Sequence, residues 1–237
     1  MATISYSIEQ VRGMIKAAEI VRSSLILQFF PWANSTYDGM LVRAAAEEAK
    51  RASVPISIHL DHAQSEEIIE RAAELPFDSI MVDISHYEKE ENLRKTRYWV
   101  RHCNERHIVT EAEPGRIEGG EDGVMDTAGL AARFTTTEEV DEFVATGVDT
   151  LAPSFGNVHG EYGPQGPRLD FERFAKVRGR ANGRVRLAVH GTNGFPPELM
   201  KQCIAAGCCK INVNRCIKKV TQATIKWMDI VGSAGKA

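Results

Sequence analysis

The chain has 237 residues, 43% of them hydrophobic, which supplies enough apolar surface for one large core and argues against a disordered chain. It carries 29 basic and 32 acidic residues and has no basic stripe, so its formal net charge of -3 argues against a nucleic-acid partner. The N-terminus has no charged segment followed by an apolar one, and no apolar run reaches the roughly 18 residues of a membrane span, so we expect a cytoplasmic protein without membrane contact.

Short apolar segments alternate along the chain with longer segments whose apolar residues recur every three or four positions, the pattern of repeated βα units. This pattern predicts eight strands, at residues 3–7, 25–30, 56–61, 79–84, 108–113, 150–155, 186–190 and 209–214. It predicts helices near 8–22, 36–52, 65–75, 88–106, 137–146, 170–179, 197–206 and 215–230, with N-caps at Ser65, Thr137 and Asp170. Together these elements predict an α/β fold, a TIM (β/α)8 barrel, as a single domain over residues 1–237.

A doubly wound open sheet would alternate in the same way, but no strand here leads into a dinucleotide-binding glycine pattern. No linker rich in Pro, Gly and Ser divides the chain. The five cysteines show no CxxC spacing and predict neither a disulfide framework nor a thiolate zinc site; they are Cys103, Cys203, Cys208, Cys209 and Cys216.

Polar residues gather where the predicted strands end. They are Asp61, His62, Asp83, His86, Glu111, Glu113, His159, His190, Asn212 and Asn214. In a (β/α)8 barrel the carboxyl ends of the strands meet at one mouth, where the loops build the active site. A strand ending in Asp and His therefore delivers them to a pocket in which a metal or a substrate can satisfy them.

Three histidines from different strand ends, His62, His159 and His190, could bind one divalent cation and leave a fourth position for substrate. For each of them a hydrogen-bonded structural role stays open, because a lone histidine near a strand end more often has that role. On the metal interpretation, Asp83 and Glu113 would support the histidines or act as alternate ligands; otherwise they bond loop amides or pair with an Arg.

The remaining histidines are less informative. His59 falls inside strand three, and we expect a structural role for it. His102 and His107 lie on or just after a highly charged helix and should be solvated, while His86 is ambiguous.

Two loops set a histidine beside a glycine, at residues 156–166 and 190–195. Glycine lets backbone N–H groups approach and hold a phosphate, although loop glycines more often satisfy turn geometry. The segment 114–126 is charged and glycine-rich, so it could act as a mobile lid that brings Glu121 to a closed site; an ordinary surface loop would have the same sequence.

Six of these segments, taken in order, resemble one family. HLDH, SIMVDISH, TEAEPGRIEGGEDGV, GNVHG, HGTNGFP and KINVN are similar to motifs of the class II, metal-dependent fructose-bisphosphate aldolases and the related tagatose-bisphosphate aldolases. The resemblance covers about residues 8–218. It implies a TIM barrel, a homodimer or homotetramer, a sugar-phosphate substrate, a place in carbohydrate metabolism such as glycolysis, and zinc-dependent cleavage of a ketose bisphosphate into dihydroxyacetone phosphate and an aldehyde.

Carried over by motif, the resemblance implies that His62, His159 and His190 bind the catalytic zinc, which stabilises an enediolate, and that Asp83 and Glu113 lie near a second metal position. Asp61 would exchange a proton with the hydroxyl that becomes the aldehyde, and Glu121 would handle the carbon proton. A monovalent cation, Na+ or K+, accompanies the phosphate in many members. The implied substrate and phosphate contacts are Gly160, Gly191, Thr192, Asn193, Asn212, Asn214 and Arg215.

The sequence departs from the family pattern at the phosphate loops and at both ends. Gly163 stands where a lysine is usual, Thr192 and Asn193 change the common HGGSG, and Arg215 with Cys216 changes the usual NVNTD. Arg215 could supply compensating charge. The first strand lacks an AFNV-like sequence and no helix precedes it, so we expect a barrel shortened at both ends and incompletely closed.

These features leave three hypotheses. The first is a zinc-dependent aldolase acting on fructose 1,6-bisphosphate or a close relative. The second is a non-catalytic or divergent homologue that binds zinc and a sugar phosphate. The third is a metal-dependent hydrolase on the same barrel, which is disfavoured because no HxH pair ends strand one.

Overall fold

The structure is a computed structural model that describes residues 1–120 and 133–214. Eight parallel strands form a closed barrel in chain order: β1 (Ala2–Ile4), β2 (Leu25–Phe29), β3 (Ile56–Ala63), β4 (Ser79–Val82), β5 (Val109–Ala112), β6 (Thr150–Leu151), β7 (Arg186–Val189) and β8 (Lys210–Val213). The TIM barrel prediction is confirmed. The expectation of incomplete closure is wrong, because Ala2 of β1 pairs in register with Asn212 of β8.

Helices follow the strands on the outside of the barrel. They are α1 (Ile8–Ile20), α2 (Trp32–Ser35), α3 (Met40–Arg51), α4 (Glu66–Ala73), α5 (Lys89–Asn104), α6 (Thr137–Val144), α7 (Phe171–Ala181) and α8 (Pro197–Ala206). Among the residues that the structure describes, no helix is both long and apolar enough to cross a membrane. The helix predicted near 215–230 lies outside the described residues.

Two local predictions are corrected. The helix predicted over 36–52 begins only at Met40, because Tyr37 and Asp38 have positive φ angles of 48° and 57° that no α-helix contains. The N-cap of α6 is Thr136 and not Thr137: the Thr136 hydroxyl accepts the Glu139 N–H, and the Glu139 carboxylate accepts the Thr136 N–H. The caps predicted at Ser65 and Asp170 are confirmed.

The apolar core lies between the barrel and its helices, whereas the inside of the barrel is largely polar. On β3, Ile58 and Leu60 pack into the outer core, so the alternating residues His59 and Asp61 face inward. The inward positions of the neighbouring strands add Gln28, Glu111 and Lys210 to this interior, and all of these side chains are buried. This polar interior leads directly to the mouth where the strands end.

Candidate active site

The end of β3 brings two consecutive residues to one pocket. In a regular strand, Asp61 and His62 would point to opposite faces. Here the pairing of β3 with β4 shifts between Leu60 and Ala63, and His62 adopts a left-handed backbone with φ 53°. Such a bulge re-aims a side chain at a local energetic cost. Asp61 and His62 therefore both line the pocket at the mouth.

Three histidines from distant parts of the chain meet in this pocket. The ring centroid of His62 lies 4.8 Å from that of His159 and 5.1 Å from that of His190, and the latter two are 5.6 Å apart. One nitrogen of each ring lies within 4.8 Å of the other two. The predicted convergence of His62, His159 and His190 is what the barrel produces.

Carboxylates fix the direction of two of these rings. Nδ1 of His62 lies 2.8 Å from Oδ2 of Asp83, and Nε2 of His190 lies 2.7 Å from Oε1 of Glu111. Each carboxylate can accept the ring N–H, which directs the other nitrogen toward the centre, where it offers a lone pair to a metal once that nitrogen has lost its proton. Those two nitrogens, Nε2 of His62 and Nδ1 of His190, approach to 3.3 Å. Converging imidazole lone pairs with carboxylates behind them are the donor arrangement that suits zinc.

Asp83 and Glu113 form a second group with His62, again within 4.8 Å of one another. Burial and the negative charge of Asp83 raise the pKa of Glu113 to about 8. Burial opposes a charge on His62, but Asp61 and the hydrogen bond to Asp83 outweigh it and raise the pKa of His62 to about 10. The carboxylates thus create a site that stabilises positive charge.

Asp61 is held by Asn212 at the inner edge of the pocket. Nδ2 of Asn212 donates to both carboxylate oxygens of Asp61, at 3.2 and 3.1 Å. Burial would raise the pKa of Asp61, but the positive charges of His62 and Lys210 outweigh it and lower the pKa. The Asp61 carboxylate is therefore ionised near neutral pH and able to accept a proton.

The glycine-containing loops are fixed by short polar contacts. Gly191 has φ 67°, and a Cβ there would lie 2.2 Å from the carbonyl oxygen of Val158, so the two loops approach closely only with glycine. The Tyr162 hydroxyl accepts the N–H of Val158 at 3.0 Å and donates to the carbonyl of Gly191 at 2.8 Å. Tyr162 thereby connects the loop of His159 to the loop of His190.

The predicted phosphate contacts are placed unequally. Gly191, Thr192, Asn193, Asn212 and Asn214 line the pocket, whereas Gly160 lies behind Asn193, whose amide donates to the Gly160 carbonyl at 2.9 Å. The Thr192 hydroxyl donates to the carbonyl of Asn212. Glu121 and Arg215 lie outside the described residues.

The other histidines are not part of the pocket lining. His59 lies inside the barrel, where its Nδ1 is 2.7 Å from the Ser79 hydroxyl. His86 is partly buried beside Tyr87, with ring centroids 4.3 Å apart. His107 is exposed and His102 is partly exposed, as expected for solvated residues.

Residues that the sequence analysis gave no role complete the site from below. Lys210 Nζ lies 2.8 Å from Oε2 of Glu111 and donates to Nε2 of His59 at 3.3 Å. The sequence marks Glu111 as a strand-end carboxylate, and its two-residue spacing from Glu113 indicates that both face the same side of the strand. The matching spacing of Lys210 and Asn212 is the signal that could have identified the lysine.

Comparisons with known proteins agree with this geometry. The family profile described as "Fructose-bisphosphate aldolase class-II" matches residues 1–236. A protein of Coccidioides immitis (strain RS), provisionally named fructose-bisphosphate aldolase, is 54% identical over 220 residues, which are 90% of this chain and 73% of that protein.

Solved structures give the same result. The crystal structure of a provisionally named fructose-1,6-bisphosphate aldolase from Coccidioides immitis has a TM-score of 0.91 at 52% identity, covering 96% of this chain and 79% of that one. The YdjI aldolase of Escherichia coli K12 has a TM-score of 0.80 at 30% identity, covering 96% of this chain and 80% of that one.

Proposed function

The chain belongs to the class II fructose-bisphosphate aldolase family, and from this premise we propose that it catalyses zinc-dependent aldol cleavage of fructose 1,6-bisphosphate or a close relative. The products would be dihydroxyacetone phosphate and an aldehyde. The observation that carries the proposal is the position of an ionised Asp61, bonded to Asn212, in the same pocket as three converging imidazoles.

Zinc would be held by His62, His159 and His190, and when bound it supplies a Lewis acid that withdraws electron density from the substrate's ketone oxygen. Asp83 and Glu111 accept the outer N–H groups of His62 and His190 and so fix which nitrogen of each ring would face the metal. Glu113, whose pKa is raised, lies close to His62 and Asp83 and adds negative charge to the site when it ionises.

Two protons move in the reaction, and Asp61 would move the one on oxygen; the proton that the carbon of the dihydroxyacetone phosphate half gains after the carbon–carbon bond breaks would come from Glu121, as the family resemblance implies. In the cleavage direction the Asp61 carboxylate accepts the proton of the hydroxyl on the carbon that becomes the aldehyde, and in the reverse direction it returns that proton. Asn212 donates to both Asp61 oxygens and holds the carboxylate at the inner edge of the pocket. The phosphate of the dihydroxyacetone phosphate half would bind at the loop of residues 191–194, where Gly191 and Gly194 have the positive φ angles found in anion-binding turns.

The test is release of dihydroxyacetone phosphate from ketose phosphates by zinc-loaded protein, followed by a coupled reduction to glycerol 3-phosphate. We expect release that a chelator abolishes and that Asp61→Asn lowers by roughly 100- to 10,000-fold, the range of a general acid–base group. Asp38→Asn is the control, because that carboxylate is 77% exposed and does not line the pocket. Zinc binding at one equivalent without release from any ketose phosphate would contradict the proposal and indicate a binding protein.

A further inference from the structure

Arg116 is a buried cation to which the proposed function gives no role. It is 4% exposed and is not among the described residues that line the pocket. Its Nε donates to the carbonyl of Ser85 at 2.9 Å, and its Nη2 donates to the carbonyls of His86 and Tyr87 at 3.4 and 3.2 Å. A buried guanidinium needs hydrogen bonds in place of its hydration, and successive carbonyls offer acceptors to its planar fork. Arg116 therefore holds the loop between β4 and α5 in one conformation.

The backbone of Arg116 is itself fixed beside the site. Its N–H donates to the carbonyl of Arg133 at 2.8 Å, and the Arg133 N–H donates back to the Arg116 carbonyl at 3.1 Å. The next residue, Ile117, donates its N–H to Oε1 of Glu113 at 2.7 Å. The Glu88 carboxylate lies 3.6 Å from the Arg116 guanidinium, but that side chain is 84% exposed, so solvent screens the ion pair. Arg116 thus acts mainly through the carbonyls that it orders.

Ser85 passes this order on to a carboxylate of the site. Its N–H and its hydroxyl both donate to Oδ1 of Asp83, at 3.2 and 2.7 Å, which closes the turn that Asp and Ser form at this spacing. The other oxygen of Asp83, Oδ2, lies 2.8 Å from Nδ1 of His62. The Ser85 hydroxyl is also a hydrogen-bond partner of Glu113. Ser85, whose carbonyl is held by Arg116, therefore sets where Asp83 meets the His62 ring.

We infer that Arg116 is a positioning residue for the zinc site, which fixes the direction of the His62 ring through Ser85 and Asp83. This inference rests on the proposed function, in which His62 binds zinc. Without the guanidinium, the loop carbonyls can turn toward water and Ser85 no longer holds Asp83 in one place. The His62 ring then loses its fixed direction, and the site binds zinc less tightly because its ligand must be ordered when the metal binds.

The experiment measures zinc affinity of the full chain by competition with a chromophoric chelator. Arg116→Met should lower the affinity about tenfold, the lower end of the range for residues that support a metal ligand. The matched control is Arg184→Met, which should leave the affinity unchanged. Arg184 likewise donates to two carbonyls, of Ala181 and Arg180, and pairs with Asp141, but it lies just after α7.

Two outcomes of this measurement have different meanings. Zinc affinity in Arg116→Met equal to that of the wild type would overturn the inference and leave the proposed function intact. A wild-type chain that binds no zinc would instead contradict the proposed function.

A double-mutant cycle tests whether Arg116 acts through Ser85. Ser85→Ala removes the hydroxyl that donates to Asp83. If the two residues belong to one chain of contacts, Arg116→Met should cost at least about threefold less zinc affinity in the Ser85→Ala background than in the wild type. Losses that simply multiply would overturn the connection through Ser85.

The metal-free protein provides a readout that a general loss of stability would not change. The proton on Nδ1 of His62, held in the hydrogen bond to Asp83, should give a downfield NMR resonance in the wild type and in Arg184→Met. This resonance should broaden in Arg116→Met. Should Arg116→Met fail to fold, Arg116→Lys decides, because it keeps the buried charge but lacks the planar fork. We expect about threefold weaker zinc binding in Arg116→Lys, and wild-type affinity with an unchanged His62 resonance would overturn the inference.

Discussion

Two groups of buried histidines and carboxylates lie in succession along the barrel. They differ in how the negative charge of their buried carboxylates is balanced. The mouth cluster consists of His62, His159, His190, Asp83 and Glu113. The interior network consists of His59, Ser79, Glu111 and Lys210. Their residue types are similar, but only the interior network contains a lysine.

The pKa values follow from that difference. Burial and the positive charge of Lys210 lower the pKa of His59 to about 3, so this ring is neutral. His62, surrounded by Asp61 and Asp83, has its pKa raised to about 10 despite its burial. The interior network is balanced by its own cation, whereas the mouth cluster attracts one. Charge balance, more than residue type, distinguishes a structural histidine from a candidate metal ligand in this barrel.

We expect the largest loss of stability from the removal of Lys210, the cation that balances the interior network. Lys210→Met leaves the Glu111 carboxylate buried without its cation, which we expect to lower the free energy of unfolding by roughly 3–5 kcal/mol. Urea unfolding of both proteins measures the difference. Lys50→Met is the control, because Lys50 pairs with Glu47 at an exposed site and should lose less than about 1 kcal/mol. Equal losses in the two variants would show that the buried lysine does not balance the network.

Glu111 of the interior network contacts the mouth cluster, since one of its oxygens accepts from His190 while the other contacts Lys210. Glu111→Gln keeps the shape but weakens the acceptor behind His190, so zinc affinity should fall about 10- to 100-fold, as for other carboxylates that support a metal-bound histidine. Competition with a chromophoric chelator measures the affinity. Glu47→Gln, at an exposed carboxylate, should leave it unchanged. If Glu111→Gln bound zinc as tightly as the wild type, the interior network would make no contribution to zinc binding at the mouth cluster.

The pH dependence of stability tests the neutral state of His59. The unfolded chain protonates this histidine below about pH 6.5 and the folded chain only below about pH 3, so the unfolded state binds more protons between these values. Stability should therefore be lost as pH falls from 6.5, by about 2 kcal/mol at pH 5 from this residue alone. His59→Gln should lose less stability than the wild type over that interval in urea unfolding at each pH. Parallel pH profiles would indicate that His59 is charged in the fold.

The sequence was sufficient for the barrel and for the members of the mouth cluster, because both depend on local patterns. Apolar alternation predicts strands, and polar residues at strand ends predict a mouth. The interior network was not predicted, since Lys210 and Glu111 lie 99 positions apart and only the closed barrel brings them together. The turn at Tyr37 and Asp38 was also missed: nothing in a short polar segment signals two consecutive positive φ angles.

The smallest expected effect concerns Tyr162, which contacts the loops of the mouth but not the interior network. Tyr162→Phe removes the hydroxyl that connects Val158 to Gly191, so the loops carrying His159 and His190 lose one common anchor. We expect stability to fall by about 1 kcal/mol and KM for the ketose phosphate to rise several-fold, on the order of threefold to tenfold, with kcat changed less.

The comparison with His59 gives this last variant its control. Because Tyr162 acts on the mouth alone, Tyr162→Phe should keep the loss of stability between pH 6.5 and 5 that His59→Gln reduces. Conversely, His59→Gln should leave KM closer to the wild-type value than Tyr162→Phe does. If Tyr162→Phe flattened the pH profile as well, the two groups would be one cooperative unit, and the contact between His190 and Glu111 would be the connection that carries the effect.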